Sequence, residues 1–208
     1  MTIADCVAVS VLTRTPVPGE TKRRLIPALG GERAAALHQV MLERTVCNAV
    51  ASQIGPVELV CTPTTQHPFL ETLAKRYRVP LRCQTGGGLG EKMRHELTYS
   101  LQSCRFAAVV GSDCPGIQLG DYAQTRQFLA DGADAVLGPS RDGGYYLLGL
   151  RRVDGRVFDD IPWGEDCVAS VTRERFVERN LCWNELPVRV DVDRVEDIAE
   201  YPELHNVP

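Results

Sequence analysis

The stretch Phe106-Ala107-Ala108-Val109-Val110-Gly111-Ser112-Asp113-Cys114-Pro115 decides how this chain folds. Five apolar residues without polar alternation describe a strand buried on both faces, as inside a parallel sheet. Pro115 has no backbone N–H to offer a neighbour, so the strand cannot continue through it. Open α/β sheets bind ligands beyond the carboxyl ends of their strands, and Asp113 stands just past such an end. A hard divalent cation takes carboxylate oxygens, usually one or two from the protein with phosphates completing the shell. Asp113 is therefore expected at a Mg²⁺ or Mn²⁺ site, with an Asx-type turn as the structural alternative.

Similar runs recur on both sides of it. Residues 6–12, Cys6-Val7-Ala8-Val9-Ser10-Val11-Leu12, form another β-rich segment, and 57–61, 79–83, 133–137, 145–150 and 188–192 read as further strands. Between them, residues 32–52 carry Leu37, Val40, Met41, Cys47, Val50 and Ala51 at helical spacing. Residues 66–76, 91–103, 121–130 and 166–179 also read as helices, with a short one at the end. Strands alternating with helices imply right-handed βαβ units, hence a three-layer α/β/α sandwich with a mainly parallel sheet. The Asp142-Gly143-Gly144 turn is expected to add one antiparallel pair. No repeat or linker divides residues 1–208, which read as a single domain.

The bulk properties exclude several classes. A net charge of -4 argues against a nucleic-acid-binding surface, which ordinarily carries a basic excess. Met1-Thr2-Ile3-Ala4-Asp5-Cys6 lacks the basic start and apolar core of a signal peptide. No run approaches the roughly 18 apolar residues of a membrane helix, so a cytoplasmic protein without membrane contact is expected. The eight cysteines form no Cys-x-x-Cys pair, which leaves buried free thiols as the economical reading and a zinc site unsupported.

Four segments at expected strand ends carry the chemistry. After the first strand, residues 13–25 contain Arg14, Gly19, Lys22, Arg23 and Arg24 in a loop stiffened by Pro16 and Pro18. Lysine offers phosphate a mobile point charge and arginine a planar fork. If 22–24 is helical, all three cations cannot face one ligand. The block Gln84-Thr85-Gly86-Gly87-Gly88-Leu89-Gly90-Glu91 precedes a helix whose first N–H groups suit an anion, although it matches no dinucleotide fingerprint or Walker A loop. Asp113 is the third element. In the fourth, Val190-Asp191-Val192-Asp193, strand alternation would put both aspartates on one face about 6.6 Å apart, inviting a shared cation. The bland alternative makes Asp193 a helix cap.

Two weaker segments remain. Residues 138–146 are either a plain hairpin or a place where Gly143, Gly144 and Tyr145 admit a sugar or acceptor against the backbone. Trp163 reads more economically as a buried ring than as a lid. Cys114 has no partnered histidine and is left structural, and His38, His67, His95 and His205 receive no catalytic role.

Taken together, these motifs resemble a family of GT-A-like transferases, often described as radical-SAM/selenodomain-associated transferases. The family runs Thr-Arg/Lys-x-Pro-x-Pro-Gly-x-x-Lys-Thr-Arg-Leu, a Gln-x-Gly-x-x-Leu-Gly-Glu-x-Met block, Gly-Ser-Asp-Cys-Pro, Gly-Pro-x-x-Asp-Gly-Gly-Tyr-Tyr and a late Asp-Val-Asp. All five occur here in order between residues 13 and 193. The resemblance implies a nucleotide-diphospho-sugar transferase fold, with metal at Asp113, Asp191 and Asp193. It selects Lys22 and Arg24 as the phosphate ligands of the first loop; Arg14 and Gly19 of that loop, and Gln84, Gly86, Gly88 and Gly90 of the glycine block, are expected contacts from the residues themselves. Arg23 and Gly88 depart from the family's usual Thr and Asp.

The expected partners are a nucleotide or nucleotide-sugar donor and a small-molecule acceptor. Glycosyl transfer from an NDP-sugar comes first, because the 143–145 segment offers a sugar a place. Nucleotidyl transfer from an NTP with release of pyrophosphate is the alternative, favoured by the basic loop. A non-catalytic nucleotide sensor is the third reading, since the sequence offers no identifiable general base, Asp142 being the best candidate.

Overall fold

The computed structural model describes residues 4–205 and 207, and the first three residues lie outside it. Its strands are β1 (Ala4–Arg14), β2 (Val57–Thr62), β3 (Leu81–Cys83), β4 (Cys104–Gly111), β5 (Ala135–Pro139), β6 (Tyr145–Leu150) and β7 (Trp183–Glu185). The helices are α1 (Ile26–Leu29), α2 (Gly31–Ala51), α3 (Pro68–Tyr77), α4 (Leu89–Ser100), α5 (Leu119–Ala130), α6 (Val168–Glu178) and α7 (Val195–Ile198). One sheet takes the order β3-β2-β1-β4-β6-β5-β7. Among these strands β6 alone runs against its neighbours, β4 and β5.

Alternation along β1 explains the three layers. Val7, Val9 and Val11 join a core with Leu42 and Val46 of α2, Leu70 and Leu73 of α3, and Leu129 of α5. Leu12 belongs to the opposite core, with Met93 and Leu97 of α4, Phe176 of α6, and Ala107 and Val109 of β4. Burying each Val or Leu contributes about 1.5–3 kcal/mol, so neither face can be left to water. A third, smaller core packs Leu25, Leu37 and Met41 against Val192, Ile198 and Leu204. It fastens the first loop and the late carboxylates to the same helix.

Two expectations need correction. Residues 188–192 are not a strand: the last strand is β7, paired with β5, and the later segment makes one isolated bridge, Ser140 to Arg189. Its carbonyls are satisfied largely by side chains. Tyr146 Oη donates to Pro187 O at 3.0 Å, Tyr201 Oη to Val190 O at 2.7 Å, and Lys22 Nζ to Val192 O at 2.6 Å. Asp191 and Asp193 therefore do not share a strand face.

The second correction concerns the thiols. Cys6 and Cys104 are joined in a disulfide. A register irregularity at the start of β1 brings these residues together across 98 positions of sequence, a proximity no local pattern reveals. Of the remaining six, only Cys61 and Cys114 are buried, while Cys47, Cys83 and Cys182 are exposed. Denatured, unreduced protein is expected to present six reactive thiols in a colorimetric titration and eight after reduction. Eight before reduction would refute the crosslink.

Candidate active site

Because β1 to β5 run in one direction, the loops after β1, β3, β4 and β5 gather on one edge of the sheet. The segment around residues 186–193 crosses that edge. Its anchor is Arg189, whose guanidinium binds Asp121 bidentately at 3.0 and 2.8 Å. Asp121 is nearly fully buried, and two parallel charge-assisted bonds fix the crossing more firmly than one would.

Within the loop after β1, Thr21 Oγ1 donates to Thr15 O at 2.8 Å and accepts from Val17 N at 3.1 Å. Leu25 is fully buried behind it. The chain turns through Gly19 at φ 81° and Lys22 at φ 51°. A left-handed conformation is uncommon for lysine and carries strain on the order of 1 kcal/mol or more. It points the Lys22 side chain inward, where only 5% remains exposed. The ammonium lies 3.1 Å from Asp113 Oδ2 and 3.0 Å from Asp193 Oδ1. Burial pulls its pKa down, but the two carboxylates outweigh that and hold it above the ordinary value. Arg24 meets the other oxygen of Asp193 at 3.1 Å with its side chain 66% exposed, so it can exchange this surface contact for a ligand. Arg14 is exposed at the end of β1. The segment is a turn, which removes the helical reason for choosing among the three cations, yet Lys22 and Arg24 are the two that reach Asp193.

Asp113 has a second neighbour, an imidazole, that sequence reasoning passed over. His38 of α2 is buried, its Nε2 within 3.0 Å of Thr13 Oγ1 and 3.1 Å of Arg14 O. Its Nδ1 lies 3.3 Å from Asp113 Oδ1, close enough for attraction but misaligned for a hydrogen bond. Although burial opposes ionisation of Asp113, Lys22 and His38 prevail and hold its carboxyl well below the usual range. The sequence signal was weak: His38 sits beside Leu37 on an apolar helix face, where a core histidine is the bland reading.

Asp191 is electrostatically opposite. Its Oδ1 is buried with no hydrogen-bond partner. Desolvation first, then the carboxylates of Asp113 and Asp142, push its pKa up to about 7. Among the described residues no group of three His, Cys, Asp or Glu side chains is gathered into a ready metal cluster. Mg²⁺, however, commonly takes only one or two carboxylates and fills its shell with phosphate and water. A bare buried oxygen on Asp191 beside the half-exposed Asp113 suits that demand; Asp193 is already engaged by Lys22 and Arg24.

Several expected ligand positions turn out to have internal work. Gln84 Nε2 donates to Thr13 O and Val60 O, each at 3.0 Å, tying three strand ends together. Gly87 N gives its hydrogen to Glu91 Oε2 at 2.7 Å. A Cβ on Gly90 would sit 2.7 Å from Trp163 Nε1, so this glycine makes room for the indole. Gly86 turns at φ 119° against Glu91, while Gly88 is open to solvent at the start of α4.

The 140–144 segment is a hairpin. Asp142 Oδ1 accepts from Ser140 Oγ and from Gly144 N at 3.0 Å, which commits the candidate base to a turn. A Cβ on Gly143 would lie 1.7 Å from Asp166 O, so that glycine admits the chain's own backbone rather than a sugar. Gly144 closes on Ser140 and Asp142, and Tyr145 packs edge-on against Trp163 at 6.3 Å. The half-buried Trp163 is thus a packing ring.

An edge of convergent loops, one buried ammonium and opposed carboxylates on this strand order define a protein with the nucleotide-diphospho-sugar transferase fold. The chain belongs to the family described as "Uncharacterized protein conserved in bacteria (DUF2064)", which matches residues 45–165. It is similar to the crystal structure of a candidate nucleotide-diphospho-sugar transferase from Desulfovibrio desulfuricans G20, with 28% identity, a TM-score of 0.84, and coverage of 96% of this chain and 88% of that one. A 4-diphosphocytidyl-2C-methyl-D-erythritol synthase from Anaerococcus prevotii DSM 20548 shares the fold at 13% identity and TM-score 0.62, covering 94% of both chains. So does the inositol-1-phosphate CTP transferase from T. maritima, at 11% identity and TM-score 0.58 over 100% of both. No curated protein matches the chain in sequence.

The state of Asp191 yields a prediction. Its folded pKa of about 7 lies above the ordinary carboxylate value of 3.8. The stabilisation from keeping it neutral is full below that ordinary value and is lost as pH rises through 7. Asp191→Asn is expected to leave Tm nearly unchanged at about pH 4 and to raise it by roughly 2–8 °C at about pH 8. A Tm at or below wild type at the higher pH would contradict the placement of this carboxylate.

Proposed function

We propose that the protein is a metal-dependent transferase that takes a nucleotide-activated donor at the Asp113 edge and moves its glycosyl group to a small acceptor. The observation that carries this reading is the single buried ammonium of Lys22 between Asp113 and Asp193, with the bare oxygen of Asp191 beside it. The description of the Desulfovibrio protein supports the NDP-sugar donor.

In this reading Asp113 and Asp191 hold Mg²⁺ or Mn²⁺. When bound, the ion supplies positive charge to the diphosphate oxygens as the leaving group departs. Lys22 cannot swing away, because three acceptors pin its ammonium, so its charge is pre-organised where phosphate charge grows. Arg24 is free to close on the donor from solvent, and Gly88 N–H at the start of α4 is available to an anion.

Nucleotidyl transfer remains a second reading on a specific observation. The place kept for a sugar at Gly143–Tyr145 is filled by packing, whereas the cations of the first loop suit a triphosphate. The cytidylyl-transferring proteins that share the fold are compatible with it. Product analysis separates the readings: NDP marks glycosyl transfer, pyrophosphate marks nucleotidyl transfer, and neither product with any tested donor leaves a sensor.

Saturation with the right donor at about 100 times Kd is expected to stabilise the fold by roughly 2.7 kcal/mol. A thermal-shift screen of NTPs and NDP-sugars with and without Mn²⁺ reads this directly, and no shift for any donor would sink the proposal. Asp113→Asn is expected to remove the Mn²⁺-dependent part of the shift while the apo protein stays folded. An unchanged shift in that variant would exclude Asp113 from the metal.

A further inference from the structure

A cavity of about 1060 Å³ runs along α4, away from the Asp113 centre. One wall is a face of α4 bearing Arg94, His95 and Thr98; the other is the segment from Arg151 to Gly155 that follows β6. Its upper end touches the glycine block at Thr85 and Gly86, and its lower end reaches Arg105. Only these glycine-block residues lie near the proposed donor.

The lining carries more cations than acids, although the net charge of the chain is -4. Arg94 and Arg152 line it with His95, Arg105 at its lower end is already engaged, and Glu91 is the one acid among the lining residues. That acid accepts from Gly87 N at 2.7 Å at the upper end. Arg151 binds only carbonyl oxygens, those of Ala133 and Leu129, and lies 5.3 Å from the Phe106 ring. These bonds hold its guanidinium at the end of α5 beside Phe106, on the sheet face opposite α4, so its charge does not serve the groove. Arg152 has only a loose contact, 3.8 Å from Asp134, with its side chain 70% exposed. The Arg94 guanidinium has no ion pair with the described residues and stands on the exposed face of α4.

Arg94 of α4 and Arg152 of the opposite wall are like charges across the groove, and an anion between them relieves their repulsion. The volume matches small-molecule sites, which span about 300–1,000 Å³. Leu101 and Val153 add apolar surface to the lining, as an organic ligand would use. The net charge of -4 disfavours a long polyanion.

We propose that this groove is a second binding site, taking a small organic anion with two or more phosphate or carboxylate groups. It meets the donor site only at Thr85 and Gly86 and does not depend on the transfer reaction assigned above.

The test titrates tripolyphosphate into metal-free protein at fixed ionic strength by calorimetry. Wild type is expected to bind with one saturable site, and Arg94→Glu/Arg152→Glu to bind about tenfold or more weakly. Both residues are exposed, and Arg126→Glu, on the exposed face of α5, controls for a general loss of charge and should match wild type within about twofold. Three outcomes would overturn the proposal: no saturable binding to wild type; binding that survives in the double variant but is lost in Arg24→Ala, which would move the probe to the Asp113 edge; or tighter binding of a short single-stranded RNA than of tripolyphosphate.

Discussion

The ammonium of Lys22, buried between Asp113 and Asp193, joins parts of the chain that are 91 and 171 positions away. Taking a lysine out of water is costly, and one carboxylate would repay that cost poorly. Two carboxylates and the carbonyl of Val192 satisfy its three donors. The strained turn at Lys22 persists because these partners, with Thr21 and Leu25 buried beside it, leave the side chain no other place.

From that contact the rest of the edge follows. Val192 is held twice, its carbonyl by Lys22 and its N–H by the carbonyl of Asp113 at 2.8 Å. Val192 also enters the small core with Leu25 and Met41, so packing and polar contacts enforce one arrangement. Asp191, one residue earlier, is carried into a position where its oxygen has no partner and its carboxyl resists ionisation. A site assembled this way brings opposed acidities side by side: Asp113 held ionised by Lys22 and His38, and Asp191 poised near neutrality by burial and like charge.

Much of the fold was legible because burial on both faces leaves an uninterrupted apolar run. Such runs announced β1, β2 and β4, and β6 was bounded as observed. β7 escaped because Trp183-Asn184-Glu185 is three residues long and mixed in polarity. Residues 188–192 were misread as a strand because alternating valines look alike whether their carbonyls bond a neighbouring strand or tyrosine and lysine side chains. The glycines misled for a related reason. A glycine allows close approach, but sequence does not say what approaches; at Gly90 it is Trp163, and at Gly143 the backbone of Asp166.

By itself the sequence determined the layered α/β architecture and the residue types collected at the strand ends, since hydrophobic periodicity and strand-ending residues are local properties. It also singled out Asp113 and Asp193, while the choice of Lys22 and Arg24 within the basic loop came from the family resemblance; the four meet in space. Only the tertiary structure decided who faces whom. It put His38 against Asp113, left Asp191 bare, turned Asp142 into a hairpin brace and joined Cys6 to Cys104. These are contacts between distant segments, and burial, like-charge repulsion and partner choice exist only once those segments are packed together.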